Sequence, residues 1–319
     1  METSHLLLRQ IRLEACGTAS FELADPEGHL LPSFTAGAHV DIQIPGGPRR
    51  SYSISSPPGE RSHYRITVKR DPSSRGGSAW LHEHARVGMR LQVHGPRNHF
   101  ELDEGAPHSV LVAGGIGITP LLPMICRLAE LGRPWSLHYS ARSAEEMAFD
   151  SELQQLQARS GGELRRYLTA GGGERMDLGA LVGEAPAGAH FYCCGPAPLI
   201  DAFLAATSQC PSSRVHYERF SATQAADLGG GYALELARDG RRITVPAGQS
   251  MLDALLDAGL DLPYSCTQGI CGSCRVGVLD GQPEHRDECL SEQERSGNRV
   301  VIPCCSGAAR EDLVECSNG

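Results

Sequence analysis

The chain has 319 residues, 40% hydrophobic and 21% charged, which is too long for one ordinary core and predicts two or three domains. Its formal net charge of −9 argues against a nucleic-acid partner, because phosphate contacts need clustered Lys and Arg. The longest apolar stretch, 110–126, is broken by glycines and prolines, so we expect no membrane span or membrane partner. The start of the chain has no signal-peptide pattern, and we expect a cytoplasmic protein.

Residues 1–104 contain short alternating runs that are separated by turn residues. Examples of these runs are HVDIQI, RSYSIS, YRITVKR and LQVHG. Several short strands at such spacing are typical of an antiparallel β-barrel or sandwich. A single helix is predicted at about 78–86, so we expect the first domain to be an antiparallel barrel.

The pattern changes over residues 105–220, where apolar runs alternate with helical segments. The strand-like runs are SVLVAGG, WSLHYSA, HFYCCGP and RVHYERF, and helices are predicted at 118–132, near 145–159 and near 197–207. Strands that alternate with helices indicate a parallel sheet with crossover helices. We therefore expect an α/β domain here.

A short segment of small residues, 221–232, is interpreted as a linker to a third module at 233–319. That module holds seven of the 12 cysteines, strand-like runs and a helix near 250–259. It also has eight Arg against fourteen Asp or Glu, so most of the negative charge of the chain lies in its last quarter.

The cysteines of the third module carry the most specific pattern in the chain. Cys266, Cys271 and Cys274 have the C-x4-C-x2-C spacing of a plant-type [2Fe–2S] site, and Cys304 follows after 29 intervening residues. A structural zinc site is the alternative, but zinc motifs usually bring a second paired C-x2–4-C unit, which is missing here. The spacing therefore predicts an iron–sulfur cluster.

Two glycines in the same loop, Gly269 and Gly272, free the backbone to wrap closely around a cluster and to point N–H groups at sulfur. The fourth ligand is open at this stage, because Cys289 and Cys305 are chemically able to serve in place of Cys304. The His-Arg-Asp segment at 285–287 falls between the third and fourth ligands. We interpret it as a solvated turn.

The α/β domain carries a glycine-rich turn between a strand and a helix. Its candidate nucleotide-binding residues are Gly114, Gly115, Gly117, Thr119 and Pro120. Glycines let a phosphate approach the backbone, and the helix N-terminus supplies N–H groups. The spacing is not G-x-G-x-x-G, however, and a plain strand-turn-helix is the alternative.

A second candidate at this sheet is Cys194-Gly195-Pro196, at the end of another strand-like run. Open α/β sheets bind ligands at the carboxyl ends of their strands. A cysteine there is small enough to let a nicotinamide ring reach a flavin, whereas we interpret Cys193 as a buried apolar thiol. Arg142 follows a strand at the position where NAD sites usually have an Asp or Glu. NADPH therefore remains an alternative coenzyme to NADH.

These motifs together resemble the ferredoxin–NADP reductase superfamily, and specifically the phthalate dioxygenase reductase and vanillate O-demethylase reductase family. The segments that carry the resemblance are RSYSIS, VKR, RGGS, GGIGITP, YCCGP and the C-terminal cysteines. The resemblance covers nearly the whole chain in the same motif order. It implies an FMN-binding barrel at 1–104, an NADH-binding α/β domain at 105–220 and an α+β ferredoxin (β-grasp) domain at 233–319.

The resemblance also assigns residues around the flavin. In the family's motif the arginine corresponding to Arg50 faces the phosphate, Tyr52 packs on the flavin and Ser53 lies near the reactive N5. The other positions carried over as flavin contacts are Ser51, Val68, Lys69, Gly76, Gly77, Ser78, Glu218 and Phe220. For Glu218 and Phe220, packing residues at the end of the domain are the alternative.

The activity implied is that of an NADH-dependent reductase that passes electrons through FMN and a [2Fe–2S] cluster to a terminal Rieske non-haem iron oxygenase. Ser53, Cys194 and Glu218 would be its catalytic residues, with the nicotinamide approaching the flavin between Ser53 and Cys194. One alternative is an FAD-type reductase that serves a diiron monooxygenase or another acceptor. The other is a non-enzymatic flavin and iron–sulfur redox sensor.

Overall fold

A computed structural model describes residues 3–47, 49–72, 76–220, 231–260, 262–264, 269 and 272–308, and the backbone of 313–317. The chain divides into two compact units, Met1–Phe220 and Ser221–Gly319. The proposed linker lies almost wholly outside the described residues, as do Cys266 and Cys271. No helix in the described part of the chain is long and apolar enough to cross a membrane.

The first half of the larger unit is an antiparallel barrel, as expected. Its elements are β1 (Thr3–Ala15), β2 (Thr18–Ala24), β3 (His39–Gln43), β4 (Arg49–Ser53), β5 (Tyr64–Lys69), α1 (Gly77–Glu83) and β6 (Arg90–Arg97). The strand order is β4-β3-β6-β1-β2-β5, and a bridge between Ile54 and Ile66 joins the two outer strands. Alternate apolar side chains of these strands pack inside the barrel and form its core.

The second half of this unit is the expected parallel α/β domain. Its elements are β7 (Ser109–Gly114), α2 (Ile118–Glu130), β8 (Trp135–Ala141), α3 (Asp150–Ser160), β9 (Glu163–Leu168), α4 (Leu178–Glu184), β10 (His190–Gly195), α5 (Ala197–Ala206) and β11 (Val215–Arg219). All neighbours are parallel in the order β11-β10-β7-β8-β9. The chain therefore reverses its direction across the sheet between β7 and β10.

Two elements of this domain have no counterpart among the sequence predictions. Strand β9 lies at the edge of the sheet and buries only two of its six residues, Leu164 and Tyr167, so its pattern is too polar to stand out. Helix α4 is short and glycine-containing, and its one buried residue is Leu178. Edge elements of this kind show weak hydrophobic periodicity, which explains why the sequence pattern did not indicate them.

The barrel and the α/β domain are joined by a cluster of charged contacts centred on Arg65 of β5. Its guanidinium donates to both carboxylate oxygens of Glu152 in α3, at 3.1 and 3.2 Å, and to the Ser55 carbonyl at 2.6 Å. It also lies over the ring of Phe149, 4.8 Å from the centroid. Lys69 adds a 2.7 Å ion pair to Glu146. These contacts fix one half of the unit against the other.

The smaller unit has the mixed sheet and short helices of the expected α+β module. Its elements are β12 (Tyr232–Leu236), β13 (Arg242–Val245), α6 (Met251–Asp257), β14 (Val276–Asp280), β15 (Pro283–Glu284), α7 (Glu292–Gly297), β16 (Val300–Val301), β17 (Gly307–Ala308) and β18 (Leu313–Ser317). The main sheet has the order β13-β12-β18-β14-β16, with β12 and β18 parallel. Tyr232, which the sequence places in the linker, begins β12 and is buried.

Replacing Arg65 by Ala tests the contact between the two halves of the larger unit. We expect a loss of about 1.5–3 kcal/mol, because hydrogen bonds to a charged partner are lost and Glu152 keeps an unpaired charge. Both tryptophans, Trp80 and Trp135, lie in this unit, so their fluorescence during guanidinium denaturation reports on it alone. The matched control is Arg9→Ala, whose partner is Glu22.

Arg9 is 41% exposed and pairs with Glu22 on a neighbouring strand of the same barrel, so this pair does not join the two halves. An ion pair to an exposed arginine is worth about 1 kcal/mol or less. Equal midpoints for the two variants would contradict the role given to Arg65.

Candidate functional site

The two glycine-bearing motifs of the α/β domain meet where the sheet reverses direction. Gly114 ends β7 and Gly195 ends the neighbouring β10. A Cβ at Gly117 would lie 2.1 Å from the Cys194 carbonyl oxygen, and one at Gly114 would lie 2.7 Å from Pro196. These glycines are therefore needed for close packing of the two strand ends. Open α/β sheets bind ligands at such a reversal.

Gly115 differs from its neighbours because it faces open space. Its φ of +53° lies in the left-handed region, and no atom stands within 4 Å of the place a Cβ would take. Thr119 and Pro120 begin α2 but are buried, and the Thr119 hydroxyl donates to the Ile116 carbonyl at 3.0 Å. Of the predicted glycine-turn residues, Gly115 is thus the one whose backbone a phosphate can approach freely.

The three residues predicted to be catalytic converge beside this reversal. Cys194 and Glu218 are register partners in neighbouring strands β10 and β11. The Ser53 hydroxyl, at the end of barrel strand β4, donates to Glu218 Oε2 at 3.5 Å. The structure therefore brings together one hydroxyl, one carboxyl and one thiol from three strands of the larger unit.

Burial changes the ionisation of two of these groups. It raises the pKa of Glu218 to about 8, against an ordinary value of 4.5, although the hydroxyl of Ser53 opposes the change. Burial, together with the nearby Glu218, raises the pKa of the Cys194 thiol well above its usual value. Near neutral pH, Glu218 is therefore mainly a protonated acid and Cys194 a neutral thiol. Cys193 points to the opposite face of the sheet, among apolar residues, as expected.

A second group of predicted residues forms a cradle at the start of α1. A Cβ at Gly77 would lie 2.8 Å from Arg50 Cγ and 2.8 Å from the Tyr52 hydroxyl oxygen, so all three residues meet. Burial raises the pKa of Tyr52, which keeps its hydroxyl neutral. Gly76 precedes the helix with a φ of +104°, and the Ser78 hydroxyl accepts from the Asp71 N–H at 3.2 Å.

Other predicted flavin contacts have partners within the protein. Val68 is buried in the core of the barrel, and Lys69 is paired with Glu146. The Ser51 hydroxyl donates to Asp41 at 2.8 Å. Phe220 is 39% exposed and stands at the end of the larger unit. Arg142, the candidate for coenzyme choice, is exposed just beyond β8.

The sequence analysis missed Asp41, which supports the flavin motif from β3. This carboxylate is fully buried, bonds to Ser51 and forms an ion pair with Arg97 of β6. An aspartate flanked by valine and isoleucine in HVDIQI was the available signal, because a buried charge needs fixed partners.

The predicted iron–sulfur ligands that the structure describes, Cys274 and Cys304, are both buried in the core of the smaller unit. The Gly269 N–H donates to Cys304 Sγ at 3.2 Å, as expected for a loop that directs backbone donors at a ligand sulfur. The Cys305 thiol instead donates to the Ile302 carbonyl at 3.7 Å. Cys304 thus accepts a backbone donor, and its role as the fourth ligand stays a prediction.

The interpretation of residues 285–287 as a solvated turn is wrong. Asp287 is buried, and its carboxylate accepts from the Leu290 N–H at 2.8 Å. The His285 side chain is largely buried and contacts Asn298 at 3.2 Å. The segment instead packs inside the smaller unit. The Arg286 N–H donates to the Ser306 hydroxyl oxygen, and the Glu288 N–H donates to the Gly269 carbonyl.

Comparisons with known proteins agree with this architecture. Residues 111–204 match the oxidoreductase NAD-binding domain, and residues 234–309 match the 2Fe-2S iron-sulfur cluster binding domain. The chain is 50% identical to the phenoxybenzoate dioxygenase subunit beta of Ectopseudomonas oleovorans over 92% of this chain and 91% of that protein. It is 44% identical to the tetrachlorobenzoquinone reductase of Sphingobium chlorophenolicum over 98% of each.

A solved structure gives the same result in three dimensions. Phthalate dioxygenase reductase, described as a modular structure for electron transfer from pyridine nucleotides to [2Fe–2S], superposes with a TM-score of 0.78. The two proteins are 36% identical, and the match covers 98% of both chains. The family and the fold class expected from the sequence are confirmed. The chain belongs to the phthalate dioxygenase reductase family of NAD(P)H-dependent oxidoreductases that carry a [2Fe–2S] domain.

Proposed function

We propose that this chain is the cytoplasmic, NADH-dependent reductase component of a Rieske-type oxygenase system. In this proposal residues 1–104 bind FMN, residues 105–220 bind NADH, and Cys266, Cys271, Cys274 and Cys304 hold the cluster. The observation that carries it is the meeting of Ser53, Cys194 and Glu218 beside the sheet reversal. A flavin held there has a nicotinamide site on the neighbouring strand ends.

FMN is favoured over FAD by the cradle of Arg50, Tyr52 and Gly77. FMN ends in a phosphate monoester, which an arginine binds with charge-assisted hydrogen bonds, whereas FAD continues into an adenosine. Gly77 leaves the space beside the Arg50 side chain that a Cβ would fill. The cradle therefore suits a ligand that ends at this arginine.

The cofactors supply hydride acceptance and one-electron transfer, and the protein positions them and sets their surroundings. Ser53 is buried at the end of β4, and its hydroxyl is directed at Glu218 by a weak 3.5 Å hydrogen bond. Glu218 holds a proton on its carboxyl near neutral pH and thus adds no negative charge to the site. The buried, neutral Cys194 excludes water from the same place.

NADH is favoured over NADPH by the charges that follow β8. The Ser143 hydroxyl bonds to Glu145 and lowers the pKa of that carboxyl. Glu145, three residues after Arg142 in the chain, is therefore a carboxylate. Its negative charge opposes the additional phosphate of NADPH.

An oxygenase partner is supported by the relative named as a dioxygenase subunit and by the solved phthalate dioxygenase reductase. The excess of acidic residues after residue 233 suits association with a basic patch on such a partner.

A second candidate acceptor is a quinone. The relative that is 44% identical over 98% of this chain is named tetrachlorobenzoquinone reductase, so a quinone belongs in the same assay.

The test is an anaerobic absorption spectrum before and after NADH addition, with iron and acid-released flavin measured on the same sample. We expect one FMN and two irons per chain, and bleaching of both the flavin and the cluster bands. Release of FAD would overturn the flavin assignment, and full cofactors that do not bleach would overturn the reductase. Mixing the reduced protein with a Rieske oxygenase or with a quinone then distinguishes the two acceptors.

The flavin cradle is tested by Gly77→Ala. The added methyl group would stand 2.8 Å from both Arg50 and Tyr52, so Arg50 must move away from the phosphate position. We expect FMN affinity to fall at least about tenfold, equal to 1.4 kcal/mol for a displaced charge-assisted contact. Fluorescence titration of the flavin-free protein with FMN measures this.

Gly59→Ala is the matched control, because no atom lies within 4 Å of its Cβ position. Unchanged FMN affinity in Gly77→Ala would contradict the cradle.

The raised pKa of Glu218 predicts a pH dependence. Below about pH 8 the carboxyl is neutral, and above it a carboxylate forms beside the site that receives hydride. We expect flavin reduction by NADH to slow as pH rises through about 8, because new negative charge opposes the arrival of hydride. Glu218→Gln fixes the neutral form, so its stopped-flow rates should not show this step. A wild-type profile that is flat from pH 6.5 to 9.5 would disprove the prediction.

A further inference from the structure

The His-Arg-Asp segment, residues 285–287, has no role in the function proposed above, yet it is tightly built into the smaller unit. It lies between Cys274 and Cys304 in the chain. The Asp287 side chain has no exposed surface, and that of His285 is 10% exposed. A buried carboxylate is costly unless donors surround it, so its position needs an explanation.

Residues 286 and 287 of the segment bond to Ser306, two residues after Cys304. The Arg286 N–H donates to the Ser306 hydroxyl oxygen at 3.2 Å, and that hydroxyl donates to Asp287 Oδ1 at 3.4 Å. Strands β15 and β17, which flank these residues, pair through Glu284 and Gly307. Ser306 is therefore fixed by the segment, only two residues beyond the cysteine.

The other side of the segment contacts Gly269, which lies between Cys266 and Cys271 in the chain. The Glu288 N–H donates to the Gly269 carbonyl at 2.9 Å, and the Gly269 N–H donates to Cys304 Sγ at 3.2 Å. Gly269 has a φ of +76°, and a Cβ there would lie 3.1 Å from Asp287 Cα. Gly269 is thus held between residues 287–288 and Cys304.

The carboxylate of Asp287 is anchored mainly by its own loop. The Leu290 N–H donates to Oδ2 at 2.8 Å, and the hydroxyl of Ser306 donates to Oδ1. Arg295 Nη2 and His285 Nδ1 stand 3.7 Å from the two carboxylate oxygens, farther than a direct hydrogen bond. The Cys289 thiol also lies 3.7 Å from Oδ2. Buried negative charge is weakly screened, so it acts on nearby groups.

We propose that Asp287 is the positioning residue of the iron–sulfur site, and that its carboxylate also lowers the reduction potential of the cluster. Its hydrogen bonds hold the segment that fixes Gly269 and Ser306, and thereby direct the Gly269 N–H at Cys304. Its buried charge disfavours the additional electron of the reduced cluster. This inference rests on the proposed ligation by Cys266, Cys271, Cys274 and Cys304.

The test separates the charge from the hydrogen bonds in the full-length protein. Asp287→Asn keeps an oxygen for the Leu290 N–H and a group that bonds to Ser306, but it removes the charge. We expect near wild-type iron content and a midpoint potential shifted to a more positive value, measured by redox titration of the electron paramagnetic resonance signal of the cluster. Asp280→Asn, an exposed change in β14 of the same unit, is the matched control for charge.

Ser306→Ala removes two hydrogen bonds without altering charge. We expect cluster release to a chelator to become about tenfold faster, as for other residues that orient metal ligands, with a smaller change in potential than for Asp287→Asn. The rate of cluster release is measured from the loss of the visible absorption of the cluster.

A potential in Asp287→Asn that shifts no more than in Asp280→Asn overturns the electrostatic role. Unchanged cluster release in Ser306→Ala overturns the positioning role. The proposed function is checked separately, because a wild-type protein without two irons and two sulfides per chain would contradict the cluster assignment itself.

Discussion

The close approach of strands β7 and β10 is the constraint on which the larger unit depends. Gly117 packs so near the Cys194 carbonyl that a methyl group would overlap it, and Gly114 packs against Pro196 in the same way. Close-packed interiors do not absorb such an overlap without moving backbone. The approach brings the turn before α2 beside the Cys-Gly-Pro turn. It thereby places Gly115 and Cys194 at the same edge of the sheet.

This edge becomes a site only because the barrel is held against it. The contact between Ser53 and Glu218 spans the two halves of the unit, and a single 3.5 Å hydrogen bond is too weak to hold them together. Arg65 makes the stronger connection, through Glu152 and the ring of Phe149, both of which lie in the α/β half. The contact between the predicted catalytic residues Ser53 and Glu218 and the contact that holds the two halves together are therefore made by different residues.

The sequence predicted the fold class and the family, because each motif combines residue types with a spacing that few structures share. The sequence was less informative about the structural role of individual residues. Gly114 and Gly117 are predicted nucleotide contacts, and that stays a prediction; their neighbours show in addition that they permit close packing of the strand ends. The apolar neighbours of Asp41 in HVDIQI indicate that it is buried, but its partners Ser51 and Arg97 are not local. The Ser306 partner of Asp287 is likewise distant in sequence, so a local pattern could not reveal these contacts. Strand β9 and helix α4 were not predicted because they bury few residues and so show weak hydrophobic periodicity.

Glu218 and Asp287 show how different surroundings affect the same carboxyl chemistry. The described donor to Glu218 is one hydroxyl, at 3.5 Å, so burial dominates and the group keeps its proton near neutral pH. Asp287 accepts a short backbone N–H bond and a hydroxyl bond, with an arginine 3.7 Å away. Donors of this kind stabilise a carboxylate in place. In the proposed function, a neutral acid suits a place that receives a hydride, whereas the charge proposed for Asp287 suits a centre that must pass its electron on.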